Sequence, residues 1–251
     1  MSEINKFAVY GKKVVQELLR SSHPVDQIIL AHESDRQFIR HIKSLAERRS
    51  LSITFINKGD MQRYCGPVLH QGITAILRGY IYLTEEELAL KLKNEKKPLI
   101  LILDQIQDPH NLGAIIRSAE ASGVHALVLP RKGSSDITPT VAKTSAGAVF
   151  HLPIYYCIDL FNTLNFFKKE GIYLVGLHPG ADQTIYQSDM TQSLALIVGS
   201  EGRGIRKNVL NYCDCTVTIP QMGRVNSLNA SVAAAVTLYE IVRQRSSESQ
   251  R

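Results

Sequence analysis

The chain has 251 residues, 44% of them hydrophobic and 21% charged, with no tryptophan and four cysteines. That composition fits a globular protein of one or two domains and excludes collagen-like, coiled-coil and disordered readings. No run reaches the roughly 18 apolar residues of a membrane span, the first residues lack a basic-then-apolar leader pattern, and four cysteines are no disulfide framework. A cytoplasmic protein with no membrane partner is therefore expected. The net charge of +6 is uneven: residues 1–97 hold 16 Lys and Arg against 11 Asp and Glu, whereas residues 98–251 hold 13 against 12. A basic front suits a polyanion such as nucleic acid, and suits a solvated basic surface equally well.

Residues 7–10 read as a strand, which Gly11 turns into an amphipathic stretch with Val14, Val15, Leu18 and Leu19 on one face. A second strand at 27–31 precedes a helix over 35–49, where Phe38, Ile39, Ile42 and Leu45 recur at three- and four-residue steps. Strands at 52–56 and 73–77 complete a small α/β unit over residues 1–78, with turn chemistry at 65–72. Thr84 and Glu87 fit a capping box, and the acidic start and basic finish of that stretch predict a surface helix in a linker over 79–97. From residue 98 to 251, apolar runs at 98–103, 126–129, 173–177, 194–198 and 216–219 alternate with helical patterns at 112–122, 159–169 and 228–243. That alternation predicts a second α/β domain built on a mostly parallel sheet.

Ligands of open parallel sheets bind beyond the carboxyl ends of the strands, and three such places are unusual. The first is the stretch from Asp104 to Arg117, in which Asn111 or His110 is placed to cap a helix and Arg117 follows under two turns later. By itself this stretch reads more simply as a helix start with a solvated arginine. The second is Gly199-Ser-Glu-Gly-Arg-Gly204, whose bare backbone can approach a ligand closely. It matches neither the dinucleotide fingerprint nor the P-loop, and Glu201 suits a cationic partner better than a phosphate. The third runs from Ile219 to Ser231, where Asn226, Ser227, Asn229 and Ser231 gather more hydrogen-bonding side chains than a cap needs. Cys213 and Cys215 are one residue too close for the usual zinc pair, and no metal is expected. The absence of a G-x-S-x-G elbow argues against an α/β-hydrolase.

Taken together, Asp108-Pro-His-Asn-Leu-Gly-Ala-Ile-Ile-Arg117, Ile197-Val-Gly-Ser-Glu-Gly-Arg-Gly204 and the pair Ile219-Pro-Gln with Ser227-Leu-Asn-Ala-Ser-Val-Ala233 resemble the three ordered motifs of the SpoU/TrmH family of RNA 2′-O-ribose methyltransferases. The resemblance covers residues 98–243. The front stretches Val9–Leu19 and His70-Gln-Gly-Ile73 resemble the ribosomal-protein-like RNA-binding domain found in bacterial 23S rRNA guanosine-2′-O-methyltransferases. The family implies a SPOUT fold, an α/β parallel sheet whose C-terminal segment threads a trefoil knot around S-adenosylmethionine. It also implies a homodimer acting on 23S rRNA or a pre-ribosomal particle, with no DNA partner. Carried over by motif position, Gly199, Ile219, Ser227 and Leu228 bind the cofactor, while Asn111, Arg117, Glu201 and Asn229 form the catalytic cluster. Ser200 and Ala230 depart from the commoner family residues at positions with no assigned role.

The family makes the motif-one arginine the activating group, but a guanidinium pKa above about 12 makes Arg117 a poor base. The expectation here is that Arg117 clamps a phosphate and the developing alkoxide, held in place by Glu201, while Asn111 and Asn229 orient the ribose. Gly199→Val is expected to occlude the cofactor pocket of a protein that still folds. Two other readings stand beside this one: a tRNA methyltransferase of the same fold, and a non-catalytic RNA-binding protein of ribosome assembly.

Overall fold

In chain order the first elements are β1 (Phe7–Tyr10), α1 (Lys12–Arg20), β2 (Gln27–Ala31), α2 (Arg36–Glu47), β3 (Ile53–Ile56), α3 (Gln62–Cys65) and β4 (Ile73–Leu77). Then come α4 (Glu85–Lys93), β5 (Leu99–Asp104), α5 (Pro109–Ala121), β6 (Ala126–Pro130), α6 (Pro139–Thr144), β7 (Ile154–Cys157) and α7 (Leu160–Lys169). The last are β8 (Tyr173–Leu177), β9 (Gln183–Thr184), β10 (Leu194–Gly199), α8 (Lys207–Leu210), β11 (Cys215–Thr218) and α9 (Ala230–Glu248). This computed structural model describes residues 7–224 and 227–248, so Asn226 lies outside the described residues. The chain forms two units, one from residues 1–81 with 137–151, the other from 82–136 with 152–251.

Unit 1 is a four-stranded sheet in the order β1-β4-β2-β3, with β4 antiparallel to both neighbours and β2 parallel to β3. Every residue of β4 is buried. The periodic stripe of α1 goes inward through Val14, Val15, Leu18 and Leu19. In α2 the buried residues are Ile42, Leu45 and Ala46, and Asp35 starts the helix by accepting from the Gln37 and Phe38 amides. Sequence periodicity did not anticipate that α6 and the short turn Ala148–Phe150 belong to this unit. Gly147 lies so close to α1 that a Cβ there would collide with Glu17. His151 Nε2 stands 2.9 Å from Glu17 Oε2.

Unit 2 is a seven-stranded, all-parallel sheet in the order β7-β6-β5-β10-β8-β11-β9. Beside the central strand β10, β5 is buried at every residue as a continuous apolar run requires. The helix expected as a surface linker is part of this core. Its capping box forms as predicted, but Leu88 is fully buried and packs with Leu92 among Ile100, Val128, Leu164 and Phe167. Two leucines four residues apart share one face, and that face is apolar enough to be drawn in. The start of α5 also differs: Asp108, rather than His110 or Asn111, is the cap. Its carboxylate accepts from the amides of both those residues, and Pro109 fills the first helical position, where a missing N–H costs nothing. At α9, Asn229 Oδ1 accepts from the Ser231 and Val232 amides.

Candidate active site

Strand register brings the motifs together. Gly199 at the end of β10 is the direct partner of Asp104 at the end of β5, so the loops 105–108 and 199–204 leave the sheet side by side. On the other flank, Val217 pairs with Leu177, and Ile219 follows β11 beside the loop that follows β8. Between these loops lies a cleft walled by Leu177, Val198, Ile219, Leu228, Ala230 and Ala233, with His178, Thr218, Gln221 and Ser227 supplying polar atoms. Gly199, Ile219, Ser227 and Leu228, the residues expected around the cofactor, all lie on its walls.

At its mouth is the Glu201 carboxylate. Oε1 accepts from Asn111 Nδ2 at 3.1 Å, from the Asn229 side-chain amide, and from the Ala230 backbone amide at 3.4 Å. Asn229 Nδ2 also donates to Asn111 Oδ1 at 3.0 Å. Three of the four expected catalytic residues thus form one hydrogen-bonded cluster, assembled across 118 residues of sequence. Arg117 is not among them. It is exposed on α5, about 120° around the helix from Asn111, and it lines neither this cleft nor its neighbour. The expected clasp between Glu201 and Arg117 is therefore corrected: the carboxylate is held by two carboxamides instead.

The turn carrying Glu201 is tightly built. Gly202 and Gly204 have φ of 80° and 65°, the left-handed region that favours glycine. A Cβ at Gly199 would run into the backbone of Gly204 and Ile205, so its place is set by the loop closing over it. The expectation that a side chain at 199 would fill the cleft is corrected on this point: it would strike the loop's own backbone. The far end of the loop is anchored by a pair that sequence reasoning missed. Asp104, fully buried, accepts from Arg206 N and Nε at 2.9 Å each and pairs with its Nη2 at 2.7 Å. The signal for Asp104 was available, a carboxylate ending a wholly apolar strand; nothing in the sequence marked its partner 102 residues on. Of the paired cysteines, Cys215 opens β11, and burial pushes the Cys213 thiol up to about 12, protonated at neutral pH. Among the described residues no group of His, Cys, Asp or Glu is arranged to hold a metal.

A parallel α/β sheet with a polar cluster and an apolar cleft beyond its central strands, carried with a separate basic α/β unit, defines a class of nucleotide-handling enzymes. Residues 98–239 match the SpoU rRNA Methylase family, and residues 8–83 match the domain described as RNA 2′-O ribose methyltransferase substrate binding. The chain belongs to the SpoU family of RNA methyltransferases. It is 37% identical over 240 residues to YacO of Bacillus subtilis, named as a TrmH family tRNA/rRNA methyltransferase, covering 94% of this chain and 95% of that one. Among solved structures it resembles the SpoU methyltransferase AviRb from Streptomyces viridochromogenes, with 26% identity, TM-score 0.82 and coverage of 97% and 91%. AviRb has also been solved in complex with AdoMet. The A. aeolicus TrmH/SpoU tRNA modifying enzyme, at 28% identity and TM-score 0.55, covers 62% of this chain and 80% of its own.

Proposed function

We propose that the chain methylates the 2′-hydroxyl of a ribose, that of a guanosine in 23S rRNA, either free or in a pre-ribosomal particle, and that it works as a cytoplasmic homodimer. The observation that carries this reading is the Glu201 carboxylate held by Asn111 and Asn229 at the mouth of the cleft beside β10. S-adenosylmethionine is the methyl donor, supplying an electrophilic methyl group on a sulfonium. The cleft fits it: Leu177, Val198 and Ile219 offer apolar surface, and the Gly199–Gly204 loop offers backbone amides. As in the family, we take the C-terminal segment to thread a trefoil knot, with dimer packing through that region. The exposed Val232 and Tyr239 of α9 are apolar surface that such packing would cover.

The chain's own contribution is alignment and removal of a proton. Asn111 and Asn229 fix Oε1 of Glu201, while Oε2 has no hydrogen-bond partner among the described residues. Oε2 takes the 2′-hydroxyl proton as the O–CH3 bond forms and the electron pair of the C–S bond stays with sulfur. Arg117 keeps the role of a phosphate-binding surface cation.

Ribosomal RNA is favoured over tRNA by unit 1, since the tRNA modifying enzyme of A. aeolicus covers only 62% of this chain. Unit 1 carries lysines set against aromatic rings: Lys12 Nζ lies 4.7 Å from the Phe38 ring centroid, Lys43 Nζ 5.4 Å from Phe55, and Lys143 Nζ 5.8 Å from Tyr10. Cations and rings interleaved in this way suit an RNA chain. The test is calorimetry with S-adenosylmethionine, then transfer of labelled methyl groups to rRNA and tRNA from a strain lacking the gene, with mass mapping of ribose methylation. Incorporation at one rRNA nucleotide is expected. Incorporation into tRNA alone would make it a tRNA enzyme, and none into either RNA would make it a non-catalytic assembly protein.

A further inference from the structure

Beside the cofactor cleft lies a second one, on the β5 side of the Glu201 turn, and the two share Ser200 and Glu201. An in-line displacement needs this arrangement, because acceptor oxygen and donor sulfur must approach the methyl carbon from opposite sides. The walls of the second cleft are polar, and some of their groups are committed. Asp108 spends its carboxylate on capping α5, and Asn111 is bonded to Glu201 and Asn229.

Others carry no hydrogen bond or ion pair among the described residues, and two of these, Arg203 and Gln105, are presented by constrained backbone. Arg203, exposed at the tip of the turn closed by the Gly204 N–H to Ser200 carbonyl bond of 2.9 Å, has no ion pair or hydrogen bond among the described residues. Its flanking glycines, at φ of 80° and 65°, fix the turn that presents it. A guanidinium without an ion pair is a ready partner for a phosphate. Gln105 stands on the opposite wall with φ of 65°, a backbone conformation uncommon for any residue but glycine. It is pinned there from both sides: Asp104 is locked to Arg206, and the Ser135 amide donates to the Ile106 carbonyl at 2.8 Å. Its side chain runs alongside Gly133, where a Cβ would stand 3.4 Å from Gln105 Nε2, and its carboxamide has no partner among the described residues. Strain held at a cleft wall by its surroundings, with a free donor and acceptor at its end, points to a reading role.

We infer that Gln105 and Arg203 position the acceptor nucleotide in this second cleft, Arg203 by gripping its phosphate and Gln105 by hydrogen-bonding the edge of its base. The inference rests on the methyltransferase reading above and goes beyond it in assigning selectivity to two residues outside the cluster of Asn111, Glu201 and Asn229. The experiment uses the full chain with S-adenosylmethionine and unmodified rRNA from a strain lacking the gene. Arg203→Ala is expected to raise KM for RNA about tenfold and lower the salt slope of RNA binding by about one, with cofactor affinity unchanged and partial rescue by Arg203→Lys. Gln105→Gly relieves the left-handed backbone, so thermal stability is expected to hold or rise, while mass mapping finds methylation spread to nucleotides with other bases. A purely structural Gln105 gives a stable Gln105→Gly variant that methylates the same single nucleotide, and an unchanged KM and salt slope in Arg203→Ala removes the grip on phosphate; either result overturns the inference. Failure of the wild-type protein to methylate any RNA would instead overturn the methyltransferase reading.

Discussion

Replacing Gly199 by alanine adds one methyl group, and the structure says where that group must go. A Cβ at 199 falls on the carbonyl group of Gly204 and the amide of Ile205, backbone atoms that no rotamer change can clear. The loop itself must move, although its far end is fixed by the bonds from Arg206 to buried Asp104. Overpacking of this kind typically costs 1–3 kcal/mol, and a collision with backbone belongs at the upper end, about 3 kcal/mol. For a unit of this size each kcal/mol lowers Tm by roughly 2–4 °C, so a fall of about 6–12 °C is expected. Because the displaced loop carries Ser200, Glu201, Gly202 and Gly204 along the cofactor cleft, binding of S-adenosylmethionine should weaken at least about tenfold, the equivalent of ~1.4 kcal/mol of that strain. Scanning calorimetry with and without the cofactor, together with titration calorimetry, measures both. A Gly199→Ala variant that melts within about 1 °C of wild type yet has lost cofactor binding would mean that the side chain enters the cleft, and the reasoning from loop backbone would be refuted.

Asp104→Ala leaves the Arg206 guanidinium without its buried partner and should cost about 3 kcal/mol in urea unfolding, the low end for a broken buried pair because Arg206 is partly exposed; unchanged stability would contradict the anchoring role. Glu201→Gln keeps size and the oxygen that Asn111 and Asn229 hold, but loses the proton-accepting one, so cofactor affinity should survive while turnover falls about ten- to a hundredfold. Equal losses of both would move Glu201 into cofactor binding. Lys12→Ala with Lys143→Ala should weaken RNA binding and lower its salt slope by about two, one for each phosphate left without its lysine; an unchanged slope would remove this face from the interface. Burial, with Arg49 and His151 adding repulsion, holds the His23 pKa below 6.5. The fold favours neutral His23, so its stability contribution is present above about pH 6.5 and lost as pH falls below it. His23→Phe should flatten that acid limb in urea midpoints measured from pH 5 to 8.

What was legible in the sequence was whatever local pattern decides. The apolar runs of β5, β6, β8, β10 and β11 read as buried parallel strands because each is continuous, and the three motif loops read as a site because they follow such runs. Less legible were features decided by distant packing. The edge strand β7, with its two tyrosines, has no apolar run to announce it. Leu88 and Leu92 sit in a helix so charged that it reads as solvated, and only the complementary surface of the β5 face reveals that two leucines suffice to bury it. The partner of Glu201 was misassigned for a similar reason: charge complementarity favours an arginine, but the helical step from Asn111 to Arg117 turns that arginine away while Asn229, the cap of α9, arrives from the other end of the chain.

The same long-range packing decides how a division of labour between RNA binding and chemistry can be examined. Removing residues 1–97 as a front domain would take Leu88 and Leu92 out of the core of unit 2. A cut before Tyr82 spares them but strips α6 and the turn at Ala148–Phe150 of the rest of unit 1, exposing Val141, Ala142, Val149 and Phe150, which are buried in the intact chain. At about 25 cal/mol per Å² of apolar surface, uncovering several such side chains is comparable with the whole stability of a domain. A truncated protein that lost RNA affinity would therefore report damage as readily as function. Substitutions at Lys12 and Lys143, half-buried against aromatic rings, change charge without removing an apolar side chain from either core, and the two come from the separate stretches of chain that build unit 1. Their combined effect on the salt slope tests whether that unit, assembled from both stretches, is what holds the RNA.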